Sequence, residues 1–114
     1  MLIGDVTLDG IQAGLRGLNV RRAAAEDAVA NVETPGYTAR TVQFEDALAS
    51  AIRGGSPFSA RVSVNPTADA SLPNGNNVQL DRELVTLTDT ALRQQLLVAA
   101  ANHKFNLLRT VITG

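Results

Sequence analysis

Between residues 8 and 32 the apolar positions recur at alternating intervals of three and four: Leu8, Ile11, Leu15, Leu18, Ala25, Val29 and Val32, with Arg22 the one polar member of the series. That spacing keeps them on one helical face and predicts a helix over 5–33. The rhythm returns as Leu84, Leu87, Ala91, Gln94, Val98, Ala101, Phe105 and Leu108, extended by Leu80 and Ile112, and predicts a second helix over 78–113. If the two lie antiparallel with Leu8 opposite Leu108, then Ile11 meets Phe105, Leu15 meets Ala101, Leu18 meets Val98 and Arg22 meets Gln94. The two polar positions then share one layer, where a guanidinium can donate to an amide oxygen; a slip of one heptad would bury each against an apolar partner.

The signals at the ends agree with these helices. Thr34-Pro35-Gly36 stops the first, because proline biases the residue before it away from helix and Pro-Gly suits a type II turn. Asn76, Asn77, Val78 and Gln79 read as the cap that opens the second. Asp81 and Glu83 lie near its positive end, with His103, Lys104 and Arg109 toward its negative end. The first helix is the weaker, since Gly10, Gly14 and Gly17 each cost about 1 kcal/mol relative to alanine. Their spacing of four and three marks either a face for close approach or a frayed start.

Between the long helices, Phe44, Ala47, Leu48, Ala51 and Ile52 predict a short amphipathic helix ended by Gly54-Gly55. Residues 54–77 read as loop, with Ala60, Val62 and Val64 alternating against Arg61 and Ser63 as a short strand. The expected fold is mainly α: residues 1–114 form a single subunit whose N- and C-terminal helices make an antiparallel coiled-coil hairpin, joined through 34–77 by a turn, the short helix and a loop.

The second helix carries more apolar surface than one partner covers. Residues 96–101 are apolar on every side, and Leu96, Leu97, Ala100, Leu107 and Val111 form a second stripe beside the main seam. These five are the candidate contacts between subunits; in the alternative, residues 44–53 fold back over the stripe and close the monomer.

Composition narrows the functional classes. Aromatic residues make up only 4% of the chain, so any core is aliphatic and thin. A formal net charge of -1 gives no footprint for nucleic acid. There is no cysteine, and His103 is the single histidine, which leaves no thiolate metal site and few means of nucleophilic or acid–base catalysis. Glu26-Asp27 and Glu45-Asp46 read as solvated helix faces. The expectation is a non-enzyme with no cofactor, no metal and no membrane span, whose N-terminal residues 1–7 lack the features of a secretory signal.

The segment Ala30-Asn31-Val32-Glu33-Thr34-Pro35-Gly36-Tyr37 resembles the N-terminal signature of bacterial flagellar axial proteins, a helix ending in an Ala-Asn-x-x-Thr-Pro-Gly-Tyr turn. Residues 38–48, 75–84 and 103–112 are similar to the proximal-rod member of that family. The resemblance implies a periplasmic rod subunit of the basal body, exported by the flagellar type III apparatus without a cleaved signal. Its partners would be copies of itself, other rod subunits, and the rod adaptor, membrane-ring and export-gate proteins at the rod base. Asn31, Thr34, Pro35, Gly36 and Tyr37 would set where the helix stops and the chain turns outward. Another proximal-rod subunit, or a free-standing helical dimerisation adaptor, is the alternative.

Overall fold

A computed structural model describes residues 3–113, with side chains from 6 to 112. Residues 1 and 2, part of the stretch read for a secretory signal, lie outside the described residues. The elements in chain order are α1 (Ile3–Ala30), β1 (Arg40–Gln43), α2 (Glu45–Arg53), a single 3-10 turn (Pro57–Ser59), β2 (Ser63–Pro66) and α3 (Leu80–Thr113). The long helices pack along each other in opposite directions: Leu97 lies against Gly14, and Gln94 bonds to Asn19 and Arg22. The result is a slender body of 64 × 25 × 13 Å.

The rest of the chain forms a small lobe on the flank of α1. Strands β1 and β2 pair antiparallel, with Thr41 opposite Asn65 and Val42 opposite Val64. The strand expected from the alternation of Ala60, Val62 and Val64 overlaps β2 only at Ser63 and Val64, and β2 is exposed throughout; its partner at residues 40–43 is not foreseen. Helix α2 carries Glu45 and Asp46 in its first turn and Arg53 in its last, and it ends at Gly54 and Gly55. Its inner face, with Leu48 and Ala51, lies over α1.

The glycines of α1 explain why the lobe sits there. Gly17 lies beneath the Phe44 ring, Gly14 beneath Leu48 and Leu97, and Gly10 beneath Ile52. They form a channel for side chains from α2 and α3, so the approach that their spacing predicts is made by side chains rather than by another backbone. Leu18, Ala24, Val42 and Phe44 form the core, with Val20, Leu48, Val62 and Leu97 packed around it.

The packed face of α3 is turned by about one residue from the expected seam. Its most buried positions are Glu83 and Thr90, followed at helical spacing by the half-buried Gln94, Leu97 and Ala101. Val98 and Phe105, expected in the seam, are 48% and 53% exposed. The physical reason is the shape of α1, whose buried surface is mainly Ala13, Ala24, Ala25 and Ala28 with the glycines. This surface of small residues leaves room for Glu83, Thr90, Gln94 and Leu97 of α3 to approach closely.

Candidate assembly surface

The family-like turn is built by contacts that span the chain. After Ala30, the Asn31 side-chain amide donates to the Asp27 carbonyl at 2.8 Å, and the Thr34 hydroxyl donates to Asn31 Oδ1 at 3.0 Å. Residues 34–37 make the type II turn that Pro35-Gly36 predicts: Gly36 has φ +77°, and the Tyr37 N–H donates to the Thr34 carbonyl. α1 thus ends at Ala30 rather than at residue 33.

Asn76 and Asn77, only 0% and 5% exposed, hold this turn from the far side. The Asn76 amide donates to the carbonyls of Asn31 and Thr34, both at 2.8 Å, while its own oxygen accepts the Val78 N–H. Asn77 accepts the Ala39 N–H at 2.7 Å and donates to Thr67 and to the Asp69 carbonyl. Gly36 N–H donates to the Asn74 carbonyl, and Gly75, at φ +86°, brings its backbone so near that an added Cβ would lie 3.2 Å from Gly36 Cα. Asn76 thus ties the turn after α1 to the approach to α3, and Asn77 ties that approach to β1 and to the segment after β2. The sequence reading gives these residues a local capping role; α3 instead begins at Leu80, and no local signal reveals a partner some 45 positions upstream.

Arg22 and Gln94 do share a layer. Arg22 Nη1 donates to Gln94 Oε1 at 3.4 Å, and Gln94 Nε2 donates to Asn19 Oδ1 at 2.7 Å. Of the other expected seam residues, Leu18 is buried, Leu8, Ile11, Leu15 and Ala101 are half-buried, and Leu108 is 41% exposed. Thr90 is fully buried, and its hydroxyl has no hydrogen-bond partner among the described residues.

The five residues assigned to contact between subunits divide. Leu97 packs on the core of its own chain, touching the space over Gly14, so segment 44–48 and α1 cover this part of the stripe. Leu96 is 69%, Leu107 51% and Val111 81% exposed, and Ala100 is also open. With Leu92 they leave one flank of α3 apolar and uncovered, while the exposed Phe105 and Ile112 lie on a different face near its end.

Charged groups cluster where β1 meets the two long helices. Arg21 Nη1 and Nη2 donate to the Glu45 carboxylate at 2.6 and 2.8 Å, Nη2 also donates to the Val42 carbonyl at 2.7 Å, and the guanidinium lies 4.9 Å above the Phe44 ring. These hydrogen bonds hold the Glu45 carboxyl well below the usual range, at about 2, and raise Arg21. Arg40 pairs with Asp27, and Arg82 with Asp69. Hydrogen bonding from Arg82 lowers the Asp69 pKa. Glu83 goes the other way: burial pushes it up, Arg82 opposes that, and Asp69 adds to it. No group of three potential metal ligands occurs among the described residues, and none of their helices is long and apolar enough to cross a membrane.

Two long helices tied together at one end by buried amides leave an apolar flank open, the kind of surface a structural subunit offers to its neighbours. Comparison with known proteins agrees. The chain is 31% identical to the flagellar basal body rod protein FlgB of Bacillus subtilis (strain 168) over 121 aligned positions, spanning 95% of this chain and 94% of that protein. It is 26% identical to the flagellar basal body rod proteins FlgB of Escherichia coli (strain K12) and Shigella flexneri over 133 positions, covering 92% of this chain and 96% of each. No family model matches the sequence. The chain belongs to the FlgB family of flagellar basal body rod proteins.

Proposed function

We propose that this subunit polymerises through its terminal helices into the proximal rod, where it forms part of the stiff tube that transmits torque and encloses the export channel. The observation that carries this reading is the uncovered flank of α3, with Leu96 at 69% and Val111 at 81% exposure beside a core that its own chain has already closed. Covering an apolar side chain contributes about 1.5–3 kcal/mol, so several together favour association once ordering costs are met. Neighbouring copies and other rod subunits are the natural cover, and the two long helices of each chain form a coiled-coil hairpin. The rod adaptor, membrane-ring and export-gate proteins are the partners at the rod base. The subunit reaches the periplasmic rod through the flagellar export apparatus. In this reading the turn at Asn31 and residues 34–37 directs the lobe outward while the helices line the assembly.

Imaging of purified basal bodies tests the proposal. Density matching this chain at the base of the rod, lost on deletion and restored by the wild-type gene, is the expected result. Rods that are complete without the chain would refute it. A closed dimer that stays dimeric at high concentration would favour the adaptor instead.

A further inference from the structure

Asn74 is the one asparagine of the chain that glycine follows. In an Asn-Gly pair the peptide nitrogen of the glycine can attack the carboxamide carbon of the asparagine, because glycine carries no side chain to crowd the approach. The ring that forms is a succinimide: an N–C bond is made, the bond from the carboxamide carbon to its own nitrogen breaks, and ammonia leaves with the proton of the peptide nitrogen. Water then opens the ring at either carbonyl and gives aspartate or isoaspartate. In isoaspartate the main chain runs through the side-chain carbon and is longer by one methylene. Water is the only co-reactant, and Asn74 is exposed to it.

In the folded chain each group that ring closure must move is held. The nucleophile, the Gly75 N–H, donates to the Leu72 carbonyl at 2.8 Å. The electrophile is held through Asn74 Oδ1, which accepts the Asn76 N–H at 3.0 Å. The Asn74 carbonyl, on the peptide that must rotate, accepts the Gly36 N–H at 2.9 Å, and Gly75 lies close against Gly36. Asn76 is buried beside them and bonds to the carbonyls of Asn31 and Thr34. The Asn-Gly pair is therefore fixed only while the turn after α1 and the approach to α3 stay clasped.

We propose that Asn74 is a site of covalent modification gated by this clasp: its amide survives in the closed chain, and in a chain whose clasp has opened it is converted to isoaspartate, after which the clasp cannot close again. The added methylene would fall between Gly36 and Asn76. Gly75 has no room there, since even a Cβ on it would lie 3.2 Å from Gly36 Cα, and Asn76 has to reach two carbonyls at 2.8 Å. Aspartate leaves the main chain unchanged, and its oxygen can still accept the Asn76 N–H, so the two products act differently. The reaction thus marks chains that have failed to close, and the mark is one-way because the ammonia has left.

Peptide mapping by mass spectrometry, with isoaspartate counted by a methyltransferase specific for it, follows Asn74 in the full chain at mildly alkaline pH. The folded wild type should keep its amide, and the same chain unfolded in guanidinium chloride should lose it about tenfold faster or more, because attack on an opened state follows the population of that state. Asn76→Ala, checked for helicity by circular dichroism, should speed the loss in native buffer by about tenfold. If that variant does not fold, wild type held in denaturant below its midpoint gives the same comparison, with a rate that rises with the opened fraction. Loss in the folded wild type as fast as in the unfolded chain, a folded Asn76→Ala chain no faster than wild type, or a rate indifferent to opening would overturn the gating. Returned to native buffer, the isoaspartate chain should melt below wild type, while Asn74→Asp melts close to it. An isoaspartate chain that melts with wild type would overturn the one-way step.

Discussion

The ring of Phe44 occupies the space that a side chain on Gly17 would need: a Cβ there would lie 2.5 Å from the ring. Alanine in place of a helical glycine gains about 1 kcal/mol from helix propensity, but overpacking a core costs about 1–3 kcal/mol. Gly17→Ala should therefore destabilise the chain, because the ring sits in the core and cannot yield. Gly10→Ala places its Cβ 3.2 Å from the flexible end of Ile52 and should be neutral or stabilising. Thermal melts that rank the two variants the other way would contradict the channel.

Replacing Asn76 with alanine removes its two donated bonds to the carbonyls of Asn31 and Thr34, which keep only their backbone donors, and the expected loss is about 1–3 kcal/mol in a denaturant titration. Asn76→Asp keeps the shape but aims carboxylate oxygens at those two carbonyls. That variant should regain stability as the pH falls and the carboxyl protonates, so its midpoint should rise in acid relative to wild type.

Glu83 and Glu45 give opposite pH signatures. The Glu83 pKa is raised in the folded chain, so its ionisation there is penalised: stability is greatest below the unfolded carboxyl range and falls as pH climbs through the folded value. Arg82, Asp69, Arg21, Arg40 and Asp89 are the charges around it. Glu83→Gln should thus raise the stability of the dispersed monomer at neutral pH, and the gain should vanish in acid. A gain that persists unchanged below pH 4 would contradict the burial argument.

For Glu45 the folded pKa is depressed to about 2, so its contribution is present above about 4.5 and is lost as the pH falls from there toward 2. Arg21→Met should remove most of that acid-dependent loss. It should also cost about 1–2 kcal/mol at neutral pH, from the vacated Val42 carbonyl and the half-exposed ion pair.

Leu97 and Leu107 should separate folding from assembly. Leu97→Asp puts a charge against the core and should unfold or loosen the free subunit. Leu107→Asp changes a side chain that is 51% exposed and should leave the monomer's helicity and melting point nearly unchanged while blocking rod formation and motility. Equal loss of monomer stability in both would erase the distinction.

The long helices and the short one were legible because apolar periodicity and turn chemistry are local. Arg22 and Gln94 also set the layer correctly, since two polar breaks at matching positions admit few alternatives. The rotation of α3 was hidden: Glu83 and Thr90 are poor predictions for burial, and only the alanine-rich surface of α1 makes room for them. Leu97 illustrates the same limit, as its periodicity fits the outer stripe while Gly14 offers it a slot in its own chain. The β1 segment Arg40-Thr41-Val42-Gln43 has too little pattern to announce a strand without its partner.

Closure of the turn by Asn76 has a consequence for how the molecule is made. Local bonds already shape the exit from the first helix, and the side chain that locks that exit is encoded near the start of the last one, so a chain cut short of Asn76 keeps the turn but loses its lock.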